Sequence, residues 1–294
     1  MSENDPSCLV CGTRRLPEIA GLKATSLVVL RCPECLLEFT HPIELENEAS
    51  TETEESYRRG LSSDDADLMK MVRRRAEERL RFCTALLGRR PKSILEVGAA
   101  GGWFVQAFEE LGVPASGIEL DPVLVAQAQR RGANVLQADV TSWSPSGGVD
   151  VVWCSQTLEH IAAPRRAVCA MRDALNAGGL LEIDVPNGSS WGAMWRRLYT
   201  KPRVYGTIHA PHHQIAYRPC SLDRLLRSCD LDPLVLDERP TDDRIFGQVI
   251  LPGSTLSRLA ILGSHVLGHG YLLVSIARKP MGARSASQDG SNGS

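Results

Sequence analysis

Ser93-Ile94-Leu95-Glu96-Val97-Gly98-Ala99-Ala100-Gly101-Gly102-Trp103-Phe104 is the stretch on which the rest of the chain is organised. Ile94, Leu95 and Val97 read as a short buried strand, and Trp103 to Leu111 as a helix. Between them the backbone turns sharply over glycines and alanines, with nothing bulky to keep a ligand away. A strand, a small-residue turn and a helix N-terminus together form a mononucleotide cradle. The dinucleotide fingerprint G-x-G-x-x-G fails when counted from Gly98, because Ala100 and Trp103 stand at its third and sixth positions. The pattern present is E-x-G-x-A-x-G, made by Glu96, Gly98, Ala100 and Gly102.

Outward from this turn the chain alternates strand and helix, which implies a parallel sheet. Ala115–Leu120 is the second strand, ending in Glu119; Asp121-Pro122 caps and opens a helix to Arg131. Asn134–Gln137 and Val149–Cys154 are the next strands, and Asp139 follows the first of them. A helix from Arg165 to Leu175 is expected to end at Gly178-Gly179, ahead of the strand Leu180–Val185. Ser221 is the expected cap of a helix over Leu222–Cys229, and Leu234–Leu236 and Tyr271–Ala277 close the sheet. Upstream, Asp64 or Asp65 can cap a helix to Gly88, with Leu68, Val72, Ala76, Leu80, Cys83 and Leu87 as its buried stripe. Its Arg73-Arg74-Arg75 run reads as a solvated face balanced by Glu77 and Glu78.

Two Cys-x-x-Cys knuckles, Cys8/Cys11 and Cys32/Cys35, stand twenty residues apart near the N-terminus, the spacing of a zinc ribbon. Four thiolates can close a tetrahedral structural zinc site, with Ser26–Leu30 as a strand between the knuckles. About forty residues hold too little core to fold alone, so the ion would supply much of their stability. The expected organisation is a ribbon over 1–43, an acidic linker over 44–63, an α/β domain over 64–280 and a disordered tail over 281–294.

Net charge is −2, and residues 1–43 carry four Lys/Arg against five Asp/Glu, which argues against a nucleic-acid grip. Leu256–Ala277 is interrupted by Arg258, His265 and His269 and does not read as a membrane span. Nine cysteines and no N-terminal apolar segment imply reduced thiols and a cytoplasmic protein.

Glu119, some twenty residues past the turn, is placed to accept hydrogen bonds from ribose hydroxyls, and Asp139 from an adenine amino group. Gly117-Ile118-Glu119-Leu120-Asp121-Pro122, Gln137-Ala138-Asp139-Val140, Ser155-Gln156-Thr157-Leu158-Glu159-His160-Ile161 and Leu175-Asn176-Ala177-Gly178-Gly179 then follow in order. With the Glu96–Gly102 turn they resemble the class I S-adenosylmethionine-dependent methyltransferases, whose first motif is usually E/D-x-G-x-G-x-G. The Gln156–Ile161 block and the ending Ala277-Arg278-Lys279-Pro280 are similar to the subgroup of ubiquinone-type O-methyltransferases. The resemblance spans residues 60–280 and implies a Rossmann-like seven-stranded sheet with an antiparallel last strand. It implies S-adenosyl-L-methionine as cofactor, with Glu96, Gly98 and Gly102 on its methionine part, Glu119 on the ribose and Asp139 on the adenine, and with Ala100 and Gln156 among the cofactor-binding residues. Ubiquinone-type enzymes can carry E-x-x-E-H as a divalent-metal site; Gln156 replaces the first carboxylate here, so that metal is not expected and His160 reads as a loop-ordering residue. The N-terminal ribbon is similar to that of some bacterial natural-product and sugar methyltransferases.

Pro186–Tyr217 holds five of the fifteen aromatics and three of the seven histidines. Trp191, Trp195 and Tyr199 recur at helical spacing, either as a packed face or as an aromatic wall for an acceptor. Arg196, Arg197, Lys201 and Arg203 either meet an anionic group or solvate this insert. His209, His212 and His213 are the candidate bases, with His212 and His213 in a stretch that resembles one of the same subgroup. The expected function is methyl transfer to a small molecule or glycan intermediate, on oxygen foremost. The alternatives are an RNA methyltransferase gripping through the ribbon, a nicotinamide dehydrogenase, and a cofactor-binding scaffold without turnover.

Overall fold

The computed structural model describes residues 6–23, 25–43, 66–198, 203–239 and 270–282. The expected linker, the caps Asp64 and Asp65, Tyr199, Lys201 and the tail from residue 283 lie outside the described residues.

Helix α1 (Ala66–Leu87) buries Val72, Ala76, Leu80 and Cys83, four positions of the expected stripe. On its outer side Arg73 pairs with Glu77 and Arg74 with Glu78, one turn on in each case. A seven-stranded sheet follows, built from β4 (Ile94–Val97), β5 (Ala115–Glu119), β6 (Val135–Gln137), β7 (Val149–Ser155), β8 (Leu175–Pro186), β12 (Asp232–Arg239) and β13 (Leu272–Arg278). Its order is β12-β13-β8-β7-β4-β5-β6. Strands β4 to β8 pair in parallel, and β13 inserts antiparallel between β8 and β12. Successive side chains of a strand face opposite ways. Ile94, Val151, Trp153 and Leu180 therefore join the α1 core, whereas Leu95, Val97, Val152, Cys154, Leu181 and Ile183 build the core on the other face.

Crossover helices α2 (Trp103–Glu110), α3 (Pro122–Arg130) and α4 (Pro164–Asp173) cover the sheet. Asp121 caps α3 as expected, its carboxylate accepting the Val123 N–H at 2.8 Å. Helix α4 stops earlier than the sequence pattern implies. The Ala174 carbonyl accepts the Val149 N–H and Leu175 pairs with Val149, so Leu175 already belongs to β8. Ser221 is not the cap of its helix either. Helix α6 (Pro219–Ser228) opens on Pro219, and Ser221 Oγ, one turn in, accepts the Arg218 N–H at 2.9 Å.

The N-terminal segment forms an antiparallel sheet of β1 (Glu18–Gly21), β2 (Val28–Arg31) and β3 (Glu38–His41). A fourth strand comes from the far side of the chain: β11 (Ile215–Ala216) pairs with β3, Ile215 against Phe39 and Ala216 against Glu38. Between β8 and β11 lie α5 (Trp191–Leu198) and the small hairpin β9 (Val204–Tyr205) and β10 (Ile208–His209). Leu30, Leu37 and Phe39 share one core with Tyr217, Leu222 and Leu225. The N-terminal sheet is thus packed onto the α/β domain.

Gly102 and Gly112 both have φ 76°, where an L-residue is strained. A Cβ on Gly102 would stand 2.6 Å from the Ala133 Cβ, whereas one on Gly112 meets nothing within 4 Å. Gly112→Ala is expected to cost about 1 kcal/mol in urea denaturation, and Gly102→Ala a further ~1–3 kcal/mol from the clash. Equal losses would show that the cradle relaxes freely.

Candidate functional site

The turn from β4 to α2 needs left-handed backbone at three points: Gly98 (φ 75°), Ala100 (φ 45°) and Gly102 (φ 76°). A side chain on Gly98 would collide with that of Thr157. Ala100 is the notable case, since its methyl is carried in a conformation that favours glycine. What holds it there is Glu119, at the end of β5. Its Oε2 accepts the Ala100 N–H at 2.9 Å, and its Oε1 accepts the N–H groups of Leu120 (2.7 Å) and Asp121 (3.0 Å). Glu96 is buried beside this turn with Oε2 unpartnered among the described residues. Burial, and then the nearby charge of Glu119, pushes its carboxyl well above the usual range.

Asp139 stands just past β6, exposed, with its carboxylate accepting the Thr141 N–H and hydroxyl at 2.8 Å. Gln156 follows β7 at φ 48°, donating its backbone N–H to the Asp184 carbonyl (2.9 Å) and its side-chain amide to Asp184 Oδ1 (3.1 Å). Asp184 and its neighbour Glu182 are buried on β8, and Arg79 of α1 pairs with Glu182 and lies 3.8 Å from Asp184. The sequence carries no signal for Glu182 and Asp184, because nothing local distinguishes a buried carboxylate on a strand from an exposed one, and Arg79 has its role only through them. Leu120, which the sequence pattern makes the last residue of β5, lies just beyond that strand and is 66% exposed.

On the opposite side the His209 and His213 backbones exchange hydrogen bonds of 2.8 and 3.0 Å. His213 meets His160 edge-on at 4.7 Å, and ligand atoms of Glu159, His160 and His213 lie within 4.8 Å of one another. His212 does not join that cluster. Burial, then the neighbouring His160, His209, His212 and Arg196, pushes the His213 imidazolium well below the usual range, so the ring is neutral at pH 7. Burial raises Glu159 to about 8, and neither of its oxygens has a hydrogen-bond partner among the described residues. Gln156, where the E-x-x-E-H pattern has its first carboxylate, is turned towards Asp184 instead.

Trp195, Met194 and Leu198 leave α5 with an open apolar side. The insert's arginines are more committed than the sequence implies. Arg197 neither solvates the insert nor waits for an anion; it donates to Glu38 Oε2 (2.8 Å) and the Gly188 carbonyl (2.7 Å). Arg31 and Arg218 also bind Glu38, which is fully buried. Arg196 lies over the Tyr271 ring at 5.2 Å.

Cys8, Cys11, Cys32 and Cys35 form the second group of metal-ligand type, with sulfurs 3.5 Å (Cys8–Cys35), 3.4 Å (Cys11–Cys32) and 3.7 Å (Cys11–Cys35) apart. A tetrahedron with Zn–S bonds of about 2.3 Å has edges of about 3.8 Å, so the donor set fits zinc. A hydrogen bond from Cys35 lowers Cys8 to about 5, while Cys35 is raised by the same contact. A cation among the four would stabilise the remaining thiolates.

A family model described as a methyltransferase domain matches residues 70–234, and the chain belongs to that family. The fold is the class I S-adenosylmethionine-dependent methyltransferase fold. The chain is 31% identical over 114 residues to a ubiquinone biosynthesis O-methyltransferase of Methylococcus capsulatus, covering 36% of this chain and 47% of the relative. It is 26% identical over 125 residues to a trans-aconitate 2-methyltransferase of Acidovorax ebreus, covering 40% and 48%. It therefore spans about half the length of the curated relatives it matches. Among solved structures, a SAM-dependent methyltransferase from Archaeoglobus fulgidus superposes with a TM-score of 0.51 at 15% identity, covering 72% of this chain and 94% of that one. The plantazolicin methyltransferase BpumL, in complex with a pentazolic desmethylPZN analog and SAH, superposes at 0.54 with 14% identity, covering 80% and 92%. Among the described residues no helix is long and apolar enough to cross a membrane.

Glu159 and Glu182, raised to about 8 and about 7, hold protons in the fold that they give up on unfolding at neutral pH. Their contribution to stability is complete below about pH 4.5 and is lost as pH rises towards 7–8. Glu159→Gln should flatten that decline by up to about 1.4 kcal/mol per pH unit, measured by urea titration. An unchanged slope would mean that Glu159 is ionised in the folded protein.

Proposed function

We propose that the protein transfers the methyl group of S-adenosylmethionine to a small-molecule or glycan acceptor, on oxygen foremost. The observation that carries the reading is the antiparallel β13 between β8 and β12, in a chain whose glycine turn departs from the dinucleotide fingerprint. Gly98, Ala100 and Gly102 let the methionine part approach the backbone, and Gln156 borders it. Glu96, buried with a free oxygen, is a partner for its ammonium group, which would favour the ionised carboxylate. Glu119 takes the ribose hydroxyls, Asp139 the adenine amino group, and Leu120 offers apolar cover for the ring.

When bound, the cofactor supplies an electrophilic methyl group, and the chain's main task is to align an acceptor with it. The open side of α5 around Trp195 forms the acceptor wall. Of the two candidate bases, His213 is favoured over His212, because it stands in the cluster with Glu159 and His160. One zinc ion held by Cys8, Cys11, Cys32 and Cys35 stiffens the ribbon and takes no part in the chemistry. The relatives named as ubiquinone biosynthesis O-methyltransferases support the choice of accepting atom.

Calorimetry tests the cofactor. S-adenosylmethionine and S-adenosylhomocysteine should bind and NAD should not; the reverse would end this reading. Glu119→Ala should weaken S-adenosylhomocysteine binding by roughly 1.5–3 kcal/mol, since the ribose loses a charged acceptor. Trp195→Ala should leave that binding unchanged.

Elemental analysis should find one zinc per chain, lost in Cys32→Ser. Because β11 is a strand of the ribbon sheet, chelation should also expose Gln214–Tyr217 amides to hydrogen exchange. Protection unchanged there after zinc loss would make the ribbon an independent appendage.

A further inference from the structure

Helix α4 packs against the C-terminal end of α6, and the contact brings two cysteines together that the methyl-transfer site does not use. Cys169 Sγ lies 2.7 Å from Cys229 Sγ. Cys229 is fully buried at the end of α6, whereas Cys169 is half-buried and reachable from solvent. Two arginines and two aspartates surround the pair. Arg165 donates to the Ser228 carbonyl (3.4 Å), and Arg172 to the Cys229 carbonyl and to Asp230 (3.1 Å each), with Asp173 also paired to Arg172.

We propose that Cys169 and Cys229 form a reversible disulfide site, with Cys169 as the peroxide-reactive sulfur and Cys229 as the resolving one. The two thiols are unequal in the way such a pair requires. The contact with Cys229 lowers Cys169 to about 7, helped by Arg172 and Arg165 against burial and Asp173, while Cys229 is raised, stays a thiol and directs its S–H to the Arg165 carbonyl at 3.5 Å. The Cys169 thiolate attacks one oxygen of hydrogen peroxide; the O–O bond breaks, and hydroxide leaves and is protonated to water. Cys229 sulfur then attacks the resulting sulfenic sulfur; the S–O bond breaks, the S–S bond forms, and the Cys229 proton leaves with the hydroxyl as a second water. The peroxide is reduced by two electrons, and the two thiols are oxidised. A dithiol reductant reverses the step by exchange.

The other cysteines are placed differently. Cys83 is buried beside Glu182 and raised to about 12, and Cys154 is buried and raised well above the ordinary thiol range. Cys220 is exposed and directs its S–H to the Cys35 carbonyl at 3.0 Å. The bond would join positions 60 residues apart, closing a loop that contains β8, α5, the histidine hairpin and α6. Constraining that loop in the unfolded chain stabilises the fold.

The test uses the zinc-loaded chain of residues 1–294, reduced and then treated with stoichiometric hydrogen peroxide. Intact mass should fall by two hydrogens, non-reducing digestion should yield one linked pair of peptides carrying Cys169 and Cys229, and dithiothreitol should restore both. The oxidised chain should unfold at a higher urea concentration than the reduced one. In Cys229→Ser, dimedone should trap a sulfenic acid on Cys169, and in Cys169→Ser no adduct should form at Cys229. The proposal is overturned if the wild-type chain gives no Cys169–Cys229 peptide. It is equally overturned if linked peptides come only from Cys8, Cys11, Cys32, Cys35 or Cys220, or if Cys229 proves the more reactive sulfur.

Discussion

The hydrogen bond from the Ala100 N–H to Glu119 is the contact on which the cradle depends. It ties the loop after β4 to the end of β5, and it holds an alanine where glycine would be easier. The turn has no slack elsewhere. Gly98 is pressed against Thr157 from the β7 end, and Gly102 against Ala128 and Ala133 around α3. Four segments therefore meet at one small-residue turn, and Glu119 presents a carboxylate to the same opening. The backbone requirement and the ligand-binding requirement fall on the same residues.

A second constraint joins the N-terminal ribbon to the segment that follows β8. Glu38 is fully buried, and a buried carboxylate is costly unless it is paired. Arg31 comes from the ribbon, Arg197 from α5 and Arg218 from the entry to α6, and all three converge on it. Together with the β3–β11 pairing, this makes the ribbon a support for the segment that carries Trp195 and His213. The metal's proposed role follows from that geometry. In the proposed arrangement zinc orders the ribbon, and the ribbon braces the segment assigned to the acceptor.

Much of this architecture is legible in the sequence because its signals are local. The strand at Ile94–Val97, the Asp121 cap and the stripe on α1 each depend on neighbours within a few residues. The misreadings arise where distant partners decide. Leu175 continues the helical pattern, yet it pairs with Val149 and becomes strand. Ile215-Ala216 has no strand signal of its own and is extended because β3 lies alongside. Arg197 in the sequence is one basic residue among several; only the fold brings Glu38 to it. For the site, Glu119 and Gly98 could be read from spacing. Asp184 and the Glu159–His213 contact could not, since they are made by burial and by the return of the chain over β7.

Methyl transfer to a small acceptor is the proposed activity. Its most direct test supplies methyl-labelled S-adenosylmethionine to the purified protein with a whole-cell extract, then separates small molecules, RNA and protein. Label should enter the small-molecule fraction and be absent with heat-inactivated enzyme. Label confined to RNA or protein would contradict it.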